Sequence, residues 1–329
     1  MRTRFTGRVL ATSCCALAVA VAMPATAYPQ SRQLVVLNKE GTVSFIDVAT
    51  QKTVAKSKTG DGPHELVVTG DGKYAVVSNF DEGRTLSVID TAAHKEVHRV
   101  DLSPLSRPHG LFAADGKVYF TAEGSGAIGR YDPATNRVDW TMKSRQEGTH
   151  MIVVSRDRNR IFTANTESGS VTIFQRPGSS GEDWHLTNVR VGNGSEGFDL
   201  SPDEKQLWVA NGNDGTVSIV DVVTAKVIGT IHVGTERSNR LKFTPDGKRV
   251  LVSDLGSGDL LILDVASRQL IKKIRVGHGL AGLLIDADGS HAYAAATSDN
   301  FVAVVDLQRL EVTGHIPTGR GPDGMDWLH

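Results

Sequence analysis

One pattern of forty-odd residues recurs seven times between Gln33 and His329, and this period constrains the fold more than any single residue does. An acidic residue closes the third strand of each predicted unit and opens a turn, except in the fourth unit, which has a glutamine. The positions are Asp47, Asp90, Asp132, Gln175, Asp221, Asp264 and Asp306, spaced by 43, 42, 43, 46, 43 and 42 residues. The clearest unit, residues 207–248, predicts four short strands joined by turns rich in Asp, Asn and Gly. The sequence therefore predicts an all-β, seven-bladed β-propeller of four-stranded antiparallel blades.

The two ends of the repeat region complement each other. Residues 34–58 predict three strands with no innermost strand before them, whereas residues 324–329 predict an innermost strand with nothing after it. We expect the C-terminal strand to pair with the three N-terminal strands and close the ring. Because a closed ring leaves only short, protected sheet edges, we also expect a monomer.

Residues 1–27 have the pattern of a secretory signal peptide, so the propeller domain is predicted to span residues 28–329. Three arginines precede the uncharged apolar run from Val9 to Met23, and Ala25-Thr26-Ala27 offers small residues for cleavage near Ala27. A periplasmic or secreted protein without a transmembrane segment is predicted, since the apolar run is short for a membrane span. Cys14 and Cys15 leave lipidation as an alternative, although no leucine lies three residues before Cys14.

The charge balance argues against a nucleic-acid partner. Without the three arginines of the predicted signal peptide, 33 basic residues face 37 acidic ones, a formal net charge of −4. Proteins that bind nucleic acid through its phosphates concentrate Lys and Arg on one surface, and no such cluster interrupts these repeats. We expect the partner to be a small ligand or a cell-envelope protein.

The repeats resemble two known families. Segments 207–211, 216–221 and 244–247 resemble the YVTN-type β-propeller repeat family, a likeness that covers the whole predicted domain. One unit, comprising segments 107–111, 119–124 and 128–133, resembles the repeats of streptogramin (virginiamycin B) lyases. That second resemblance implies a seven-bladed propeller that opens a lactone ring by elimination, with a metal ion and a histidine.

Function in a propeller usually lies where the central channel opens, so we aligned the start of each innermost strand. The aligned positions are His64, His109, His150, Glu196, Asn239, Ala281 and Asp323. With 11 histidines in 329 residues, composition alone would place about 0.2 histidines in seven positions, yet three occur consecutively. Neutral imidazoles converging from neighbouring strands are ligands for zinc or copper.

These residues lead to a metal-site hypothesis and to a simpler alternative. In the first, His64, His109, His150 and Glu196 hold one divalent ion, and Glu196 with His150 forms the catalytic pair, Glu196 serving as fourth ligand or as general base. In the alternative, polar side chains line a wet channel mouth and hydrogen-bond to carbonyl groups and water.

The next position in each innermost strand is usually glycine, but Glu65 and Arg240 depart from that pattern. Together with Asn239 and Asp323 they are candidate ligand-binding residues, because a guanidinium can grip a carboxylate with two hydrogen bonds. A salt link between blades is the other interpretation of Glu65 and Arg240. Two functions stay open: a non-enzymatic exported propeller that binds a ligand or partner at its channel face, and a metal-dependent lactone-opening lyase or hydrolase.

Overall fold

The computed structural model describes Met1, residues 32–177 and residues 183–328. Across those ranges, 28 strands form seven four-stranded antiparallel sheets, and one short 3-10 helix, η1 (Glu123–Ser125), is present. The predicted seven-bladed propeller is confirmed. No helix in the described ranges is long and apolar enough to cross a membrane. Residues 2–27 of the predicted signal peptide, with Cys14 and Cys15, lie outside the described residues.

The strands follow one another with nearly constant length. The first fourteen are β1 (Gln33–Asn38), β2 (Thr42–Asp47), β3 (Lys52–Lys58), β4 (Pro63–Val68), β5 (Tyr74–Asn79), β6 (Thr85–Asp90), β7 (Lys95–Asp101), β8 (Pro108–Ala114), β9 (Lys117–Ala122), β10 (Ala127–Asp132), β11 (Arg137–Lys143), β12 (Thr149–Val154), β13 (Arg160–Asn165) and β14 (Ser170–Gln175). The others are β15 (His185–Arg190), β16 (Ser195–Leu200), β17 (Gln206–Asn211), β18 (Thr216–Asp221), β19 (Lys226–His232), β20 (Ser238–Phe243), β21 (Arg249–Asp254), β22 (Asp259–Asp264), β23 (Gln269–Arg275), β24 (Leu280–Ile285), β25 (His291–Ala296), β26 (Phe301–Asp306), β27 (Glu311–Pro317) and β28 (Pro322–Leu328).

Blade 1 combines β28 with β1, β2 and β3, in that order from the channel outward. Blades 2 to 7 are β4–β7, β8–β11, β12–β15, β16–β19, β20–β23 and β24–β27, each again ordered from the channel outward. The antiparallel pairing of β1 with β28 places Leu34 opposite Trp327 and Val36 opposite Met325. All four side chains are buried in one hydrophobic cluster. The predicted closure of the ring is confirmed, and it ties the two ends of the domain together through packing as well as hydrogen bonds.

The recurring Asp residues end the third strands as predicted, and their carboxylates hold the turns that follow. Asp47 Oδ1 accepts hydrogen bonds from the backbone N–H and the hydroxyl of Thr50, and Asp221 Oδ1 does the same for Thr224. The turns between first and second strands differ in length. Blade 3 has the two-residue connection Asp115-Gly116, with both residues at positive φ, whereas blades 2 and 4 to 7 use five residues. Both sets of turns are therefore local structures built around Asp. Between first and second strands this Asp is followed by Gly in blades 2, 3, 6 and 7 and by Arg158 or Glu204 at positive φ in blades 4 and 5.

Glycines in the third position of four innermost strands let neighbouring blades approach closely around the channel. A Cβ atom added to Gly282 would lie 1.9 Å from the backbone oxygen of Asp323, and one added to Gly197 would lie 2.3 Å from that of Asn239. Gly110 and Gly324 meet the adjacent innermost strand in the same way. Side chains at the preceding position are thereby brought together at one end of a narrow channel.

Candidate functional site

The seven aligned residues all occupy the second position of an innermost strand, and the structure brings most of them to one cavity. Three imidazoles from adjacent blades form a continuous row. The ring centroids of His64 and His109 are 5.2 Å apart, and those of His109 and His150 are 3.7 Å apart with the rings stacked. The Phe80 ring packs against two rings of this row. Its centroid lies 4.6 Å from that of His64 and 5.0 Å from that of His109. The predicted convergence of the three histidines is therefore observed.

His150 is held between two carboxylates. Its Nδ1 lies 2.5 Å from Glu123 Oε2, and its Nε2 lies 3.2 Å from Glu196 Oε1. Burial disfavours the charged imidazole, but the charges and hydrogen bonds of Glu196 and Glu123 outweigh it and raise the pKa of His150 to about 9. At neutral pH His150 is thus an imidazolium that donates both of its N–H groups to carboxylates.

The other two histidines are neutral at the same pH. Burial, with the positive charge of Lys39, lowers the pKa of His64 to about 4. Burial and the neighbouring imidazoles lower the pKa of His109 well below its usual value. His109 is 2% exposed, and its Nδ1 has no hydrogen-bond partner among the described residues. The row therefore contains one charged ring beside two neutral ones.

A second charged group crosses the channel beneath the mouth. Arg240, on β20 of blade 6, forms a buried ion pair with Glu65, on β4 of blade 2, nearly opposite in the ring. The Arg240 guanidinium also donates to Asn239 Oδ1 at 3.0 Å and lies 3.8 Å from both Glu196 and Asp323. Burial opposes its charge, but the surrounding carboxylates raise the pKa of Arg240 above its ordinary value. Of the two interpretations of this pair from sequence, the salt link between blades is the one observed.

The candidate ligand residues Asn239 and Asp323 take part in the same network. The Asn239 amide donates to Glu196 Oε1 at 2.9 Å, so Glu196 links His150 to the Arg240 group. Asp323 is 2% exposed, and its Oδ2 lies 3.0 Å from Lys39 Nζ. Asn239 and Asp323 line the cavity at the channel mouth. Glu65 lines a second cavity of the channel, and Arg240 contributes to both cavities.

The residues present do not fit the predicted zinc or copper centre. Both nitrogens of His150 are engaged by carboxylates, and the stacked rings of His109 and His150, 30° from parallel, do not direct their nitrogens at a common point. No group of three or more His, Cys, Asp or Glu side chains within residues 32–177 and 183–328 is arranged to hold a metal ion. The residues of the predicted metal set, His64, His109, His150 and Glu196, therefore form a hydrogen-bonded and stacked cluster instead, because Glu123 and Glu196 engage both nitrogens of His150.

The mouth of the channel contains a cavity of about 600 Å³. Residues from the innermost strands form its floor. The loops between second and third strands, with the residues just before the innermost strands, form its wall. Its lining comprises Lys39, His64, Phe80, Arg107, Glu123, His150, Thr166, Glu167, Asn193, Gly194, Glu196, Gly212, Asn213, Arg237, Asn239, Arg240, Leu255, Ala281 and Asp323. This volume lies within the range of small-molecule sites.

Four residues of the site were not among the sequence candidates. Glu123, in η1, reaches His150 in the next blade, and no sequence pattern indicates that contact. Phe80 lies in the wall of the same cavity. Arg107 and Arg237 carried a usable signal, because each directly precedes an innermost strand where five other blades have glycine: Gly62, Gly148, Gly194, Gly279 and Gly321.

Comparisons with known proteins agree with this architecture. The family model described as the YNCE-like beta-propeller matches residues 113–289, which are 177 of the 329 residues. No curated protein sequence matches the chain significantly.

Three solved structures share the fold. A functionally unknown protein from Desulfotomaculum acetoxidans has 17% identity and a TM-score of 0.74, covering 91% of this chain and 99% of its own. A candidate 6-phosphogluconolactonase from Bacteroides fragilis has 15% identity and a TM-score of 0.75, covering 93% of this chain and 100% of its own. Another from Bacteroides uniformis has 16% identity and a TM-score of 0.74, covering 91% and 100%. At such identities the likeness establishes the fold and not an activity.

Proposed function

Because the chain belongs to the YNCE-like β-propeller family, whose fold does not by itself assign an activity, we propose its function from the channel mouth: the protein binds a small organic anion there without transforming it. The observation that carries this proposal is the mismatch between acceptors and donors in the cavity. The carboxylates of the floor are engaged within the protein, whereas cationic groups of the wall keep N–H groups free.

The acidic groups of the floor have cationic or hydrogen-bonding partners, whereas the exposed Glu167 of the wall makes no side-chain hydrogen bond or ion pair with any described residue. Glu123 interacts with His150 through Oε2 and lies 3.3 Å from Arg107 through Oε1. Glu196 Oε1 lies within hydrogen-bond distance of both His150 and Asn239. Asp323 pairs with Lys39 through Oδ2, whereas its Oδ1 is buried 3.8 Å from Arg240 without a hydrogen-bond partner among the described residues. These carboxylates leave little capacity to hold a cationic ligand.

The cationic groups of the wall are less fully used. Lys39 has three N–H donors and Arg107 has five, and each has one carboxylate partner. The exposed Arg237 makes no side-chain hydrogen bond or ion pair with any described residue. Guanidinium and ammonium groups with free donors recognise carboxylates and phosphates. The cavity is therefore complementary to a ligand rich in anionic oxygen.

The same electrostatics argue against acid–base catalysis by Glu196 and His150. Burial favours the neutral acid, but His150 and the nearby arginines lower the pKa of Glu196 to about 2, while His150 titrates near 9. General catalysts work best when their pKa is close to the operating pH. At neutral pH Glu196 is a weak base and His150 holds its proton, so the pair suits a fixed ionic floor.

Thermal unfolding of the purified protein with a panel of organic acids tests the proposal. The panel contains simple carboxylates, sugar acids and sugar phosphates, each beside the neutral alcohol of the same skeleton. A ligand at a hundred times its Kd stabilises the folded state by about 2.7 kcal/mol, which raises the Tm by several degrees. We expect shifts with the anions alone, and a smaller shift in the double variant Arg107→Gly, Arg237→Gln.

Arg137→Gln is the matched control, because Arg137 is exposed on β11, the outermost strand of blade 3. It removes one positive charge far from the mouth and should leave the shifts unchanged. Equal shifts with anions and neutral analogues, or none with either, would refute the proposal.

A second candidate function is hydrolysis of an anionic lactone, favoured by the candidate 6-phosphogluconolactonases among the similar structures. In this chain His64 is the neutral imidazole that faces the cavity, and although burial lowers its pKa to about 4, it is a stronger base than Glu196, whose pKa is about 2. Proton release from 6-phosphogluconolactone and from an unphosphorylated lactone, measured above the spontaneous rate, tests it. Saturable turnover that disappears in His64→Ala would replace simple binding as the function; the elimination chemistry of streptogramin lyases stays a prediction.

We also propose that the protein acts outside the cytoplasm, after cleavage near Ala27. The observation behind this is the basic and then apolar sequence of residues 1–27. Expression of the full-length chain in a secreting host, followed by N-terminal sequencing of the exported protein, tests it. A mature N-terminus at Tyr28 is expected, and a lipid on Cys14 or Cys15 would contradict it.

A further inference from the structure

The residue directly before each innermost strand is a backbone position that normally requires glycine. In five blades this residue is Gly62, Gly148, Gly194, Gly279 or Gly321, all with φ between 57° and 69°. Blades 3 and 6 have Arg107 and Arg237 instead. Left-handed backbone suits glycine because it has no Cβ atom to clash with the neighbouring carbonyl group. Two long cationic side chains therefore stand where five blades have a left-handed glycine, and of the two only Arg107 keeps that backbone conformation.

Arg107 keeps the left-handed conformation, with φ at 51°, although it has a side chain. Its backbone is fixed there, because its N–H donates to Gly83 O at 2.9 Å and its carbonyl accepts from Glu123 N at 2.8 Å. The guanidinium lies 4.4 Å from the centroid of the Phe80 ring, and the side chain remains 43% exposed. A strained backbone that presents a half-exposed, oriented guanidinium in a cavity is the pattern of a binding residue rather than of a stabilising one.

Arg237 lies on nearly the opposite side of the mouth, since three steps around the ring of seven separate blade 3 from blade 6. The backbone N–H groups of Glu236 and Arg237 both donate to the Asp254 carboxylate at 2.8 Å. The backbone is thus anchored while the guanidinium, without a partner among the described residues, projects at the cavity wall. An exposed guanidinium without a hydrogen bond to the protein keeps all its N–H donors available to a ligand.

The floor between the two arginines carries carboxylates. Glu196 and Asp323 lie in the floor of the cavity, and Glu123 lies beside Arg107. Because Lys39, His150 and Arg240 are already paired with these carboxylates, the floor offers a central anion little uncompensated positive charge, whereas anionic groups at the rim would meet an arginine on each side. The arrangement suits a ligand with anionic ends and an uncharged, polar middle.

We propose that Arg107 and Arg237 form a two-point clamp for an organic dianion whose two charged groups span the channel mouth. This inference rests on the proposed binding function and specifies its ligand class. It assigns a specificity role to two residues through their spacing, because one arginine holds each end of the ligand.

Isothermal titration calorimetry with straight-chain dicarboxylates, from malonate to suberate, tests the clamp. Each diacid is compared with the monocarboxylate of the same chain length. A clamp of fixed span predicts one best length, bound about tenfold or more tightly than its monocarboxylate, because a second charge-assisted contact is worth at least that factor. Arg237→Gln should bring the best diacid to within about threefold of the monoacid and remove the length dependence.

Two further variants separate binding from folding. Arg107→Gly restores the residue that five blades have at this position, so it should fold normally while losing the preference for diacids. Arg137→Gln, on the outside of blade 3, should keep both the preference and the best length.

The outcomes distinguish this inference from the function on which it rests. If no carboxylate binds at millimolar concentration, the proposed function itself is wrong. If diacids bind only about twofold more tightly than monoacids, the factor expected from having two equivalent ends, and no length is preferred, the anion site stands and the clamp is refuted. An unchanged length preference in Arg237→Gln would also overturn it.

Discussion

The protonated His150 between Glu123 and Glu196 should make the stability of the protein fall as the pH rises from neutral to alkaline. The pKa of His150 is raised from its ordinary 6.5 to about 9, and each unit of pKa corresponds to about 1.4 kcal/mol, which gives roughly 3 kcal/mol. Because the folded state keeps a proton that the unfolded state releases, this stabilisation is complete below pH 6.5. It is lost as the pH rises through about 9.

The perturbation is His150→Gln, which removes the charge but retains a polar side chain. Urea unfolding followed by tryptophan fluorescence, at intervals between pH 6 and pH 10, measures the free energy of unfolding of both proteins. We expect the variant to be less stable at pH 6, because two buried carboxylates lose their cation. The gap between the two proteins should narrow by about 3 kcal/mol toward pH 10, where His150 of the natural protein is neutral as well.

The control is His98→Gln, a change at an exposed histidine on β7. Its unfolding curves should follow those of the natural protein at every pH. Parallel curves for the natural protein and His150→Gln across the whole range would refute the assignment of an imidazolium to this site. Imidazole nitrogen chemical shifts in NMR spectra provide a second measurement, since His150 should remain doubly protonated at pH 7.5.

Three other perturbations test the architecture of the channel. Glu65→Gln should lower the free energy of unfolding by about 3 to 5 kcal/mol in urea titrations, because it leaves Arg240 buried without its main partner, and adding Arg240→Met should recover part of that loss. Gly282→Ala should lower the Tm markedly, since the new Cβ would lie 1.9 Å from a neighbouring backbone oxygen, whereas Gly70→Ala, with open space around it, should change the Tm little. The depressed pKa of Glu196 stabilises the folded state only while the carboxylate is charged, so the natural protein should lose this stability between pH 4.5 and pH 2. Glu196→Gln should lack that loss in an acid titration, and equal acid sensitivity of both proteins would contradict the prediction.

The fold was predictable because its signals are local and repeated. Asp ends the third strand of six blades and recurs in the turns between first and second strands, so equivalent turns can be recognised in successive blades. Closure of the ring was predictable from the number of strands, since three strands at the N-terminal end and one at the C-terminal end complete a single blade. Even the positions of the site were predictable, because equivalent residues of a repeat reach equivalent places around one axis.

The chemistry at those positions was not predictable in the same way. His64, His109 and His150 met as expected, but Glu123 of η1, in the neighbouring blade, and Glu196 together engage both nitrogens of His150. Whether an imidazole is a ligand, a base or a cation depends on which groups lie within about 3 Å and on how much water is excluded. The spacing of residues along one strand determines neither which groups lie close to an imidazole nor how much water is excluded from it.

The cross-channel pair shows the same division. Glu65 and Arg240 were visible in the sequence as departures from glycine, yet they are 175 residues apart and only ring closure brings them into contact. The sequence by itself determined the number of blades, the turns and the end of the channel where polar residues gather, because these depend on backbone propensity and repetition. Tertiary structure alone decided which charges neutralise each other and which arginines remain free, because electrostatic energies depend on distance and burial between blades.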